Sequence, residues 1–564
     1  MRLRNIFVLL CVTGLSGTIY LFGSSVLKTP AEETNYTQYS QHEGIVRFLS
    51  MVDYKSDVAQ VRTVGRSLPA RQYGAKDIFL CILTEEGISR PAELNRTKPT
   101  LLLVAAKHGN EQSAKEAALW MIRDLSLGEL RPLLKRVNVL ILPQSNPYGN
   151  FFDTRRNEQD IDLNRDQVKL ESPESEVINR IFRTWMPEVT MDVHEKGDDF
   201  YRVSTGCVSN ANIHSDIQKF SRSKILSEVS RDLEGEGITF QEYLITQRLG
   251  IDSSAGVTYR AEDQGSGQMM KRYSTTDLND GRNSPGIYET FSFIQEIASR
   301  HDVETLRERT VWQYFGIRYF LESVVRHGEE INRLVANKRS ELLERARITT
   351  ENDTVHLRMK YARDPGQPVL NIRKFVRPNS PVRGVLKVDK KAGDLLTAAD
   401  LQPHPFPPET AVGEEVVKNW FPLVEPTLSV SRPSGYILPA KFRDVLEILL
   451  KHGIEVRCFD KDTSIDVEVY TVKDVVPADY DYLPPPILDV EKSTRSVLIK
   501  RGDFYVACCQ PAANLIPCLL EPQAQYGLIR YWKLKLVPGK GDVYPFFRYV
   551  GSESLSAVPY ANWK

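Results

Sequence analysis

Residues 101–111 constrain the fold more than any other stretch of the sequence. The apolar run at residues 101–106 predicts a buried strand, because it is short and uninterrupted. Gly109 follows, and apolar residues then recur at helical spacing as far as Leu125. This order of strand, turn and helix predicts an α/β fold. His108 and Glu111 lie in the turn, beyond the carboxyl end of the strand, where open α/β sheets bind their ligands.

Two further apolar segments also end in polar residues. Residues 137–142 lead towards Asn146, and residues 188–193 end at His194. A catalytic zinc ion takes three nitrogen or oxygen ligands from the protein and leaves one position for water. His108, Glu111 and His194 are therefore candidate ligands. A His-x-x-Glu pair by itself is more typical of a solvated turn, so the prediction depends on the third ligand and on the motifs between them.

The order of these motifs resembles the zinc carboxypeptidase family, the carboxypeptidase A/B-like metallopeptidases. The resemblance covers about the first 300 residues and includes Gly-Arg-Ser at 65–67, Asn-Pro-x-Gly at 146–149, Arg-x-Asn at 155–157 and Asp-Leu-Asn-Arg at 162–165. It implies a mixed sheet flanked by helices and one zinc ion per chain, bound by the three candidate ligands. The implied activity is hydrolysis of carboxyl-terminal peptide bonds, so the expected partner is a peptide with a free carboxyl terminus.

The resemblance also implies a general base close to the zinc. The pattern of residues 286–293 predicts another strand, which carries Glu289 followed by a threonine. An apolar setting would raise the pKa of this carboxyl group towards working pH. We therefore predict Glu289 as the base, with Glu296 as the alternative.

Four further residues are predicted to contact the substrate. By resemblance, Asn164 and Arg165 grip the terminal carboxylate, which suits the planar fork of an arginine side chain. Arg155 would polarise the scissile carbonyl. Tyr273 lies near the place where the family carries a mobile tyrosine over the substrate, and Tyr259 competes for that role.

The length and composition predict more than one folded unit and exclude one class of partner. The chain has 564 residues, of which 41% are apolar, enough for more than one core. Residues 38–348 carry every motif, whereas residues 350–564 are rich in proline and short strands and predict an appended α/β domain of unknown role. The 73 basic and 73 acidic residues give zero net charge, so nucleic acid is not an expected partner.

The first 25 residues predict export. A basic start is followed by a mostly apolar stretch at residues 6–23, typical of a signal peptide or a membrane anchor. A bilayer span takes about 20 residues, so both alternatives stay open. Arg2 and Arg4 favour a cytoplasmic amino terminus, which places the rest of the chain outside the cytoplasm: periplasmic, secreted, or membrane-anchored and facing outward.

Two other functions fit parts of the pattern. A zinc deacylase of N-acyl amino acids, of the aspartoacylase or succinylglutamate desuccinylase type, shares the histidine, glutamate and Asp-Leu-Asn-Arg motifs. Three features favour the carboxypeptidase instead: Asn-Pro-x-Gly, the Gly-Arg-Ser motif at residues 65–67, and the export signal. A catalytically inactive envelope binding module is the second alternative, and the presence of all candidate metal and base residues speaks against it.

Overall fold

The computed structural model describes residues 27–70, 73–197, 201–252, 255–261, 268–298, 303, 305–375, 411–476 and 487–562. The predicted signal peptide or anchor at residues 1–25 lies outside these ranges. Within them, no helix combines the length and the apolar character that a membrane crossing requires.

The described residues form a mixed α/β structure. Its helices are α1 (Pro30–Glu33), α2 (His42–Lys55), α3 (Gln112–Ser126), α4 (Pro147–Phe152), α5 (Pro173–Trp185), α6 (Ser215–Phe220), α7 (Ser227–Gly235), α8 (Asn283–Gly286), α9 (Leu306–Arg326), α10 (Gly328–Arg347), α11 (Arg443–Lys451) and α12 (Leu515–Leu520). Its strands are β1 (Ala59–Arg66), β2 (Asp77–Leu83), β3 (Thr100–Ala105), β4 (Asn138–Leu142), β5 (Val189–Lys196), β6 (Val203–Cys207), β7 (Phe240–Glu242), β8 (Ile245–Arg248), β9 (Gly250–Asp252), β10 (Val257–Tyr259), β11 (Met269–Arg272), β12 (Phe291–Ala298), β13 (Thr354–Ala362), β14 (Leu370–Phe375), β15 (Ala411–Val417), β16 (Leu423–Ser431), β17 (Gly435–Leu438), β18 (Arg457–Phe459), β19 (Thr463–Val476), β20 (Ile487–Ile499), β21 (Phe504–Ala507), β22 (Phe547–Tyr549) and β23 (Ala557–Pro559).

An eight-stranded mixed sheet carries the predicted motifs. Its order is β1-β2-β4-β3-β5-β12-β6-β7. The four central strands β4, β3, β5 and β12 run parallel. The pairs β1–β2, β2–β4 and β12–β6 are antiparallel, and β7 runs parallel to β6. The sheet and its flanking helices confirm the fold class expected from the sequence.

The centre of this sheet is buried on both faces. All six residues of β3 are buried, as expected for a parallel strand that is covered on both sides. Leu101 and Leu103 pack into the core that α2, α3 and α9 help to form. Leu102 and Val104 point to the other face, into a core that also contains residues from beyond position 350. Because both faces of β3 are packed, the position of its carboxyl end is fixed, and so is the start of the turn that follows.

The carboxyl-terminal region forms a second, antiparallel sheet of seven strands, in the order β20-β19-β22-β17-β21-β18-β23. Helix α11 lies between this sheet and α5, and its apolar residues share one core with those of α5. Two hydrogen bonds reinforce the contact: His452 Nε2 lies 2.7 Å from the carbonyl oxygen of Val168, and Lys451 Nζ donates to the carbonyl oxygen of Leu170 at 2.9 Å. The boundary at about residue 350 stays a prediction.

The strand expected at residues 286–293 begins later than predicted. Residues 283–286 form the short helix α8, and β12 starts only at Phe291. Glu289 lies in the turn between them with a φ of 56°, in the left-handed region that non-glycine residues seldom adopt. Glu296, in contrast, lies within β12 near its carboxyl end.

Candidate metal centre and active site

Three buried side chains converge at the carboxyl ends of β3 and β5. Nδ1 of His108 lies 2.7 Å from Oε1 of Glu111, and Nδ1 of His194 lies 2.7 Å from Oε2 of the same carboxylate. The two Nδ1 atoms are 3.0 Å apart. All three potential ligand atoms lie within 4.8 Å of one another, so one ion can contact all of them. The three residues predicted from the sequence as ligands are therefore brought together.

The donor set fits zinc. Two imidazoles and one carboxylate are ligands that zinc accepts in catalytic sites. Although burial opposes ionisation, His108 and His194 hold the pKa of Glu111 well below its usual value. The carboxylate is thus ionised, which is the form that binds a metal.

A strained turn and a backbone crossing shape the metal loop. Ala106, directly after β3, has a φ of 58°, which redirects the chain before His108. Gly109 lies so close to Gly149 that a Cβ atom on Gly109 would come within 1.9 Å of the Gly149 carbonyl carbon. Asn146 caps α4 through the Gly149 N–H and donates to the carbonyl oxygen of Lys107 at 3.1 Å. The Asn-Pro-x-Gly motif therefore supports the metal loop.

Each histidine has a carboxylate behind it. Asp162 Oδ1 lies 3.0 Å from Nε2 of His108, and Asp192 Oδ2 lies 2.9 Å from Nε2 of His194. Asp192 also forms an ion pair with the buried Lys107 at 2.8 Å. Such carboxylates fix the tautomer and the orientation of a metal-binding imidazole. The sequence reasoning missed Asp192, although its position two residues before His194, on the same face of β5, was a usable signal.

Glu296 is the carboxylate that faces the ligand cluster. It pairs in register with His194 across the parallel strands β12 and β5, which places both side chains on the same face. Burial raises the pKa of Glu296, and the charges of His194, Glu111 and His108 also act on it. The neighbouring Tyr243 is affected in turn, since the charge of Glu296 and burial raise the pKa of its hydroxyl group.

Glu289, the predicted base, lies elsewhere. It precedes the strand, and from Phe291 to Glu296 alone the chain advances about 17 Å along β12. Its Oε2 atom accepts a hydrogen bond from the backbone N–H of His214 at 2.9 Å, and its Oε1 atom accepts one from Asn514 at 3.3 Å. Neither partner belongs to the ligand cluster. Glu289 is therefore not placed to act at this cluster, and Glu296 replaces it as the candidate base.

Arg155 borders the ligand cluster, and Asn164 and Arg165 lie in the turn that follows Asp162. The half-exposed Arg155 lies 3.6 Å from Glu111 and 3.0 Å from Asp162. Asn164 is buried and accepts a hydrogen bond from the N–H of Gly281, which itself packs against Asp192. Arg165 follows it, with Nη1 donating to the carbonyl oxygen of Asn164 at 2.7 Å.

Tyr273 is not brought to the cluster. Its ring lies edge-on to Trp420, with centroids 4.6 Å apart, and Arg222 lies over it at 4.6 Å. Tyr259 packs against Phe421 and also lies apart. Tyr243, in contrast, lies beside Glu296.

Comparison with known proteins agrees with this geometry. Residues 45–189 match the family model described as zinc carboxypeptidase. Carboxypeptidase 2 of Trichophyton rubrum is 23% identical over 466 residues, covering 78% of this chain and 74% of the relative. Carboxypeptidase 2 of Trichophyton equinum is 24% identical over 467 residues, with the same shares of each chain. The chain therefore carries a segment that matches the zinc carboxypeptidase family, at residues 45–189.

Solved carboxypeptidase structures were also matched. Carboxypeptidase A of Helicoverpa armigera has a TM-score of 0.38 at 14% identity, covering 52% of this chain and 75% of that one. A metallo-carboxypeptidase of Pseudomonas aeruginosa has a TM-score of 0.36 at 18% identity, covering 52% and 70%.

This chain is a metallocarboxypeptidase hydrolase, and zinc is the metal of the matched family. The matched segment contains His108, Glu111 and the motifs as far as Arg165, but it ends before His194 and Glu296. His194 and Glu296 are therefore candidates on the geometry of β5 and β12 alone.

Proposed function

We propose that this carboxypeptidase releases single residues from the free carboxyl terminus of peptides, with His108, Glu111 and His194 as zinc ligands and Glu296 as general base. The register of β12 on β5, which sets Glu296 beside His194, is the observation that carries the proposal. With zinc bound, the site supplies a Lewis acid that acidifies water to a pKa near ~7 and polarises a carbonyl group.

Glu296 moves the proton. Its carboxylate takes a proton from the attacking water and returns it to the leaving amine, which is general base and then general acid catalysis. Burial raises the pKa of this carboxyl group, and a raised pKa brings a carboxylic acid nearer to the pH at which it can both accept and donate.

Arg155, Asn164 and Arg165 orient the substrate in this proposal. Arg155 stands at the rim of the ligand cluster, where its guanidinium group can stabilise the charge that develops on the scissile carbonyl oxygen. Asn164 and Arg165 lie farther along the same loop and bind the terminal carboxylate, with Arg165 forming a bidentate, charge-assisted pair. Asp162 orients both His108 and Arg155, since it contacts each of them.

The proposed location is outside the cytoplasm. The basic start and the apolar residues 6–23 support export, whether the leader is cleaved or retained as an anchor. Cell fractionation with amino-terminal sequencing separates these two outcomes from a cytoplasmic location, which would contradict the proposal.

Mass spectrometry of products from a peptide library with free and amidated carboxyl ends tests the reaction. An amidated end leaves the arginine of the clamp without its anionic partner, at a cost of roughly 1.5 to 3 kcal/mol. Free ends should therefore be shortened at least about tenfold faster. Equal rates for both ends would show that Asn164 and Arg165 do not bind the terminal carboxylate. Hydrolysis of N-acyl amino acids in place of peptides would identify a deacylase.

A further inference from the structure

A polar cavity of about 500 Å³ lies apart from the metal centre. Its walls come from the loop that follows β6, from the end of β11, from the carboxyl end of α10 and from strands β13 and β16. None of the metal ligands lines it, nor does Glu296. Because residues from both sides of position 350 form the walls, the cavity exists only where the two parts of the chain meet.

Glu289 is the one acidic side chain among the described residues that line this cavity. It is buried, it is held by His214 and Asn514, and its backbone adopts the left-handed conformation. A non-glycine residue in this conformation is strained, and such strain clusters at functional positions. Burial raises the pKa of Glu289 to about 7, so a cationic group beside it would stabilise the carboxylate.

Arg345 faces the same space. Its charge acts on Glu289, yet no ion pair joins the two side chains, and the ion pair that Arg345 makes is with Asp353, at 3.7 Å. The side chain of Arg345 is half-exposed and can therefore turn towards a ligand. His214 and His356 also line the cavity, but burial lowers the pKa of both imidazoles, so they add little positive charge at neutral pH.

Two more features favour a ligand over water alone. Ser274 lines the cavity, and its buried hydroxyl group has no hydrogen-bond partner among the described residues. Buried polar groups are nearly always hydrogen-bonded, and an exception calls for an explanation. Part of the wall is apolar and is formed by Phe421, Leu423 and Val424. One acid, several arginines including Arg345, and an apolar wall thus surround one space.

We propose that this cavity binds a free amino acid with an apolar side chain. The ammonium group binds Glu289, the carboxylate binds Arg345, and the side chain lies against the wall formed by Phe421, Leu423 and Val424. Glu289 and Arg345 line the same cavity and no ion pair joins them, so a small zwitterion can offer each of them a group of the opposite charge. Small-molecule sites of this volume are common and combine apolar walls with a few placed polar groups.

Calorimetric titration of the zinc-loaded, full-length protein tests the proposal, with L-phenylalanine as the probe. N-acetyl-L-phenylalanine lacks the ammonium group, and L-phenylalaninamide lacks the carboxylate. Each capped compound should bind at least about tenfold more weakly than the free amino acid, since each leaves one charged side chain without a partner. Equal affinity for the N-acetyl compound would indicate a simple anion site and overturn the zwitterion proposal.

Binding by substituted proteins tests whether L-phenylalanine binds in this cavity. Glu289→Gln preserves the shape and one of the two accepted hydrogen bonds, and Arg345→Met removes a half-exposed charge, so each should fold and retain zinc while affinity falls at least about tenfold. Arg347→Met and Glu341→Gln, on exposed positions of the same helix, should bind L-phenylalanine as the wild type does. Unchanged affinity in Glu289→Gln and Arg345→Met would overturn the proposal. The absence of saturable binding would also overturn it. So would binding that is lost only in His108→Ala, because that result would place the amino acid at the metal centre.

Discussion

His108 and His194 each have a second ring nitrogen that faces a carboxylate. Asp162 and Asp192 lie 3.0 Å and 2.9 Å from these Nε2 atoms, on the side away from the ligand cluster. Because the imidazoles converge through Nδ1, the carboxylates fix which nitrogen remains available for the metal. Metal affinity should therefore depend on residues that do not touch the metal.

Asp192→Asn is expected to weaken zinc binding by about 10- to 100-fold, since an amide no longer stabilises the orientation and basicity of His194. Titration against a competing chelator measures the affinity. Asp216→Asn, a half-exposed position on α6, is the matched control and should retain wild-type affinity. Wild-type affinity in Asp192→Asn would show that the carboxylate is only an ion-pair partner of Lys107.

The metal ligands were predictable from the sequence, whereas the base was not. Each ligand directly follows or ends an apolar strand, and the carboxyl ends of parallel strands meet at one edge of a sheet. Glu289 and Glu296 both have apolar neighbours, and only the pairing register of β12 distinguishes them. Register is set by tertiary contacts and turn geometry, and the left-handed turn at Glu289 has no glycine to announce it. Asp192 and Tyr243 depend on the same tertiary information.

At the scale of elements, α11 and α5 form the principal helix contact between the two parts of the chain. The sequence indicates both helices, because each has apolar residues at helical spacing and a recognisable start or end. It did not predict that they would face each other, since an apolar stripe shows that a helix is covered but not by what. The role of residues 350–564 was unreadable for the same reason.

His452 makes this contact sensitive to acid. Burial lowers its pKa to about 4 from an ordinary value of 6.5, and nearby Arg183 and Lys451 act in the same direction. The folded state therefore binds fewer protons than the unfolded state between these two values, so stability is lost as the pH falls through that window. Between pH 7 and pH 4.5 the loss from this group is roughly 2 to 3 kcal/mol.

His452→Gln should reduce the loss of stability between pH 7 and pH 4.5 by roughly that amount, because glutamine donates to Val168 without titrating. Urea unfolding of the zinc-loaded protein at both pH values measures the difference. His356→Gln, at a half-buried position on β13, is the comparison variant. An unchanged pH dependence in His452→Gln would mean that the imidazole is solvated in the folded protein.

At the scale of the whole molecule, one hydrophobic core joins the two parts of the chain. Apolar residues of β2, β3, β4 and α5 belong to the same buried cluster as those of β17, α11, β21 and α12. Separating the parts would expose this surface, at a cost of roughly 25 cal/mol for each Å² of apolar area. The predicted appended domain is therefore expected to unfold together with the metal-binding part.

Differential scanning calorimetry of the zinc-loaded protein should show one cooperative transition, with a calorimetric enthalpy equal to the van't Hoff enthalpy. His108→Ala should lower the midpoint of that single transition, because zinc stabilises the folded state by binding to it. Two separable transitions, of which only one responds to zinc, would contradict a shared core.

Glu296, and not Glu289, is the general base in the proposed reaction at the zinc centre. Turnover of a peptide with a free carboxyl end should be measured for Glu296→Gln and Glu289→Gln, with zinc content determined on the same samples and no free amino acid added. Glu296→Gln should keep its zinc and lose about 10² to 10⁴ in kcat, while Glu289→Gln should keep its zinc and stay within about threefold of the wild type. If Glu289→Gln is inactive with zinc in place and Glu296→Gln turns over normally, Glu296 is not the general base.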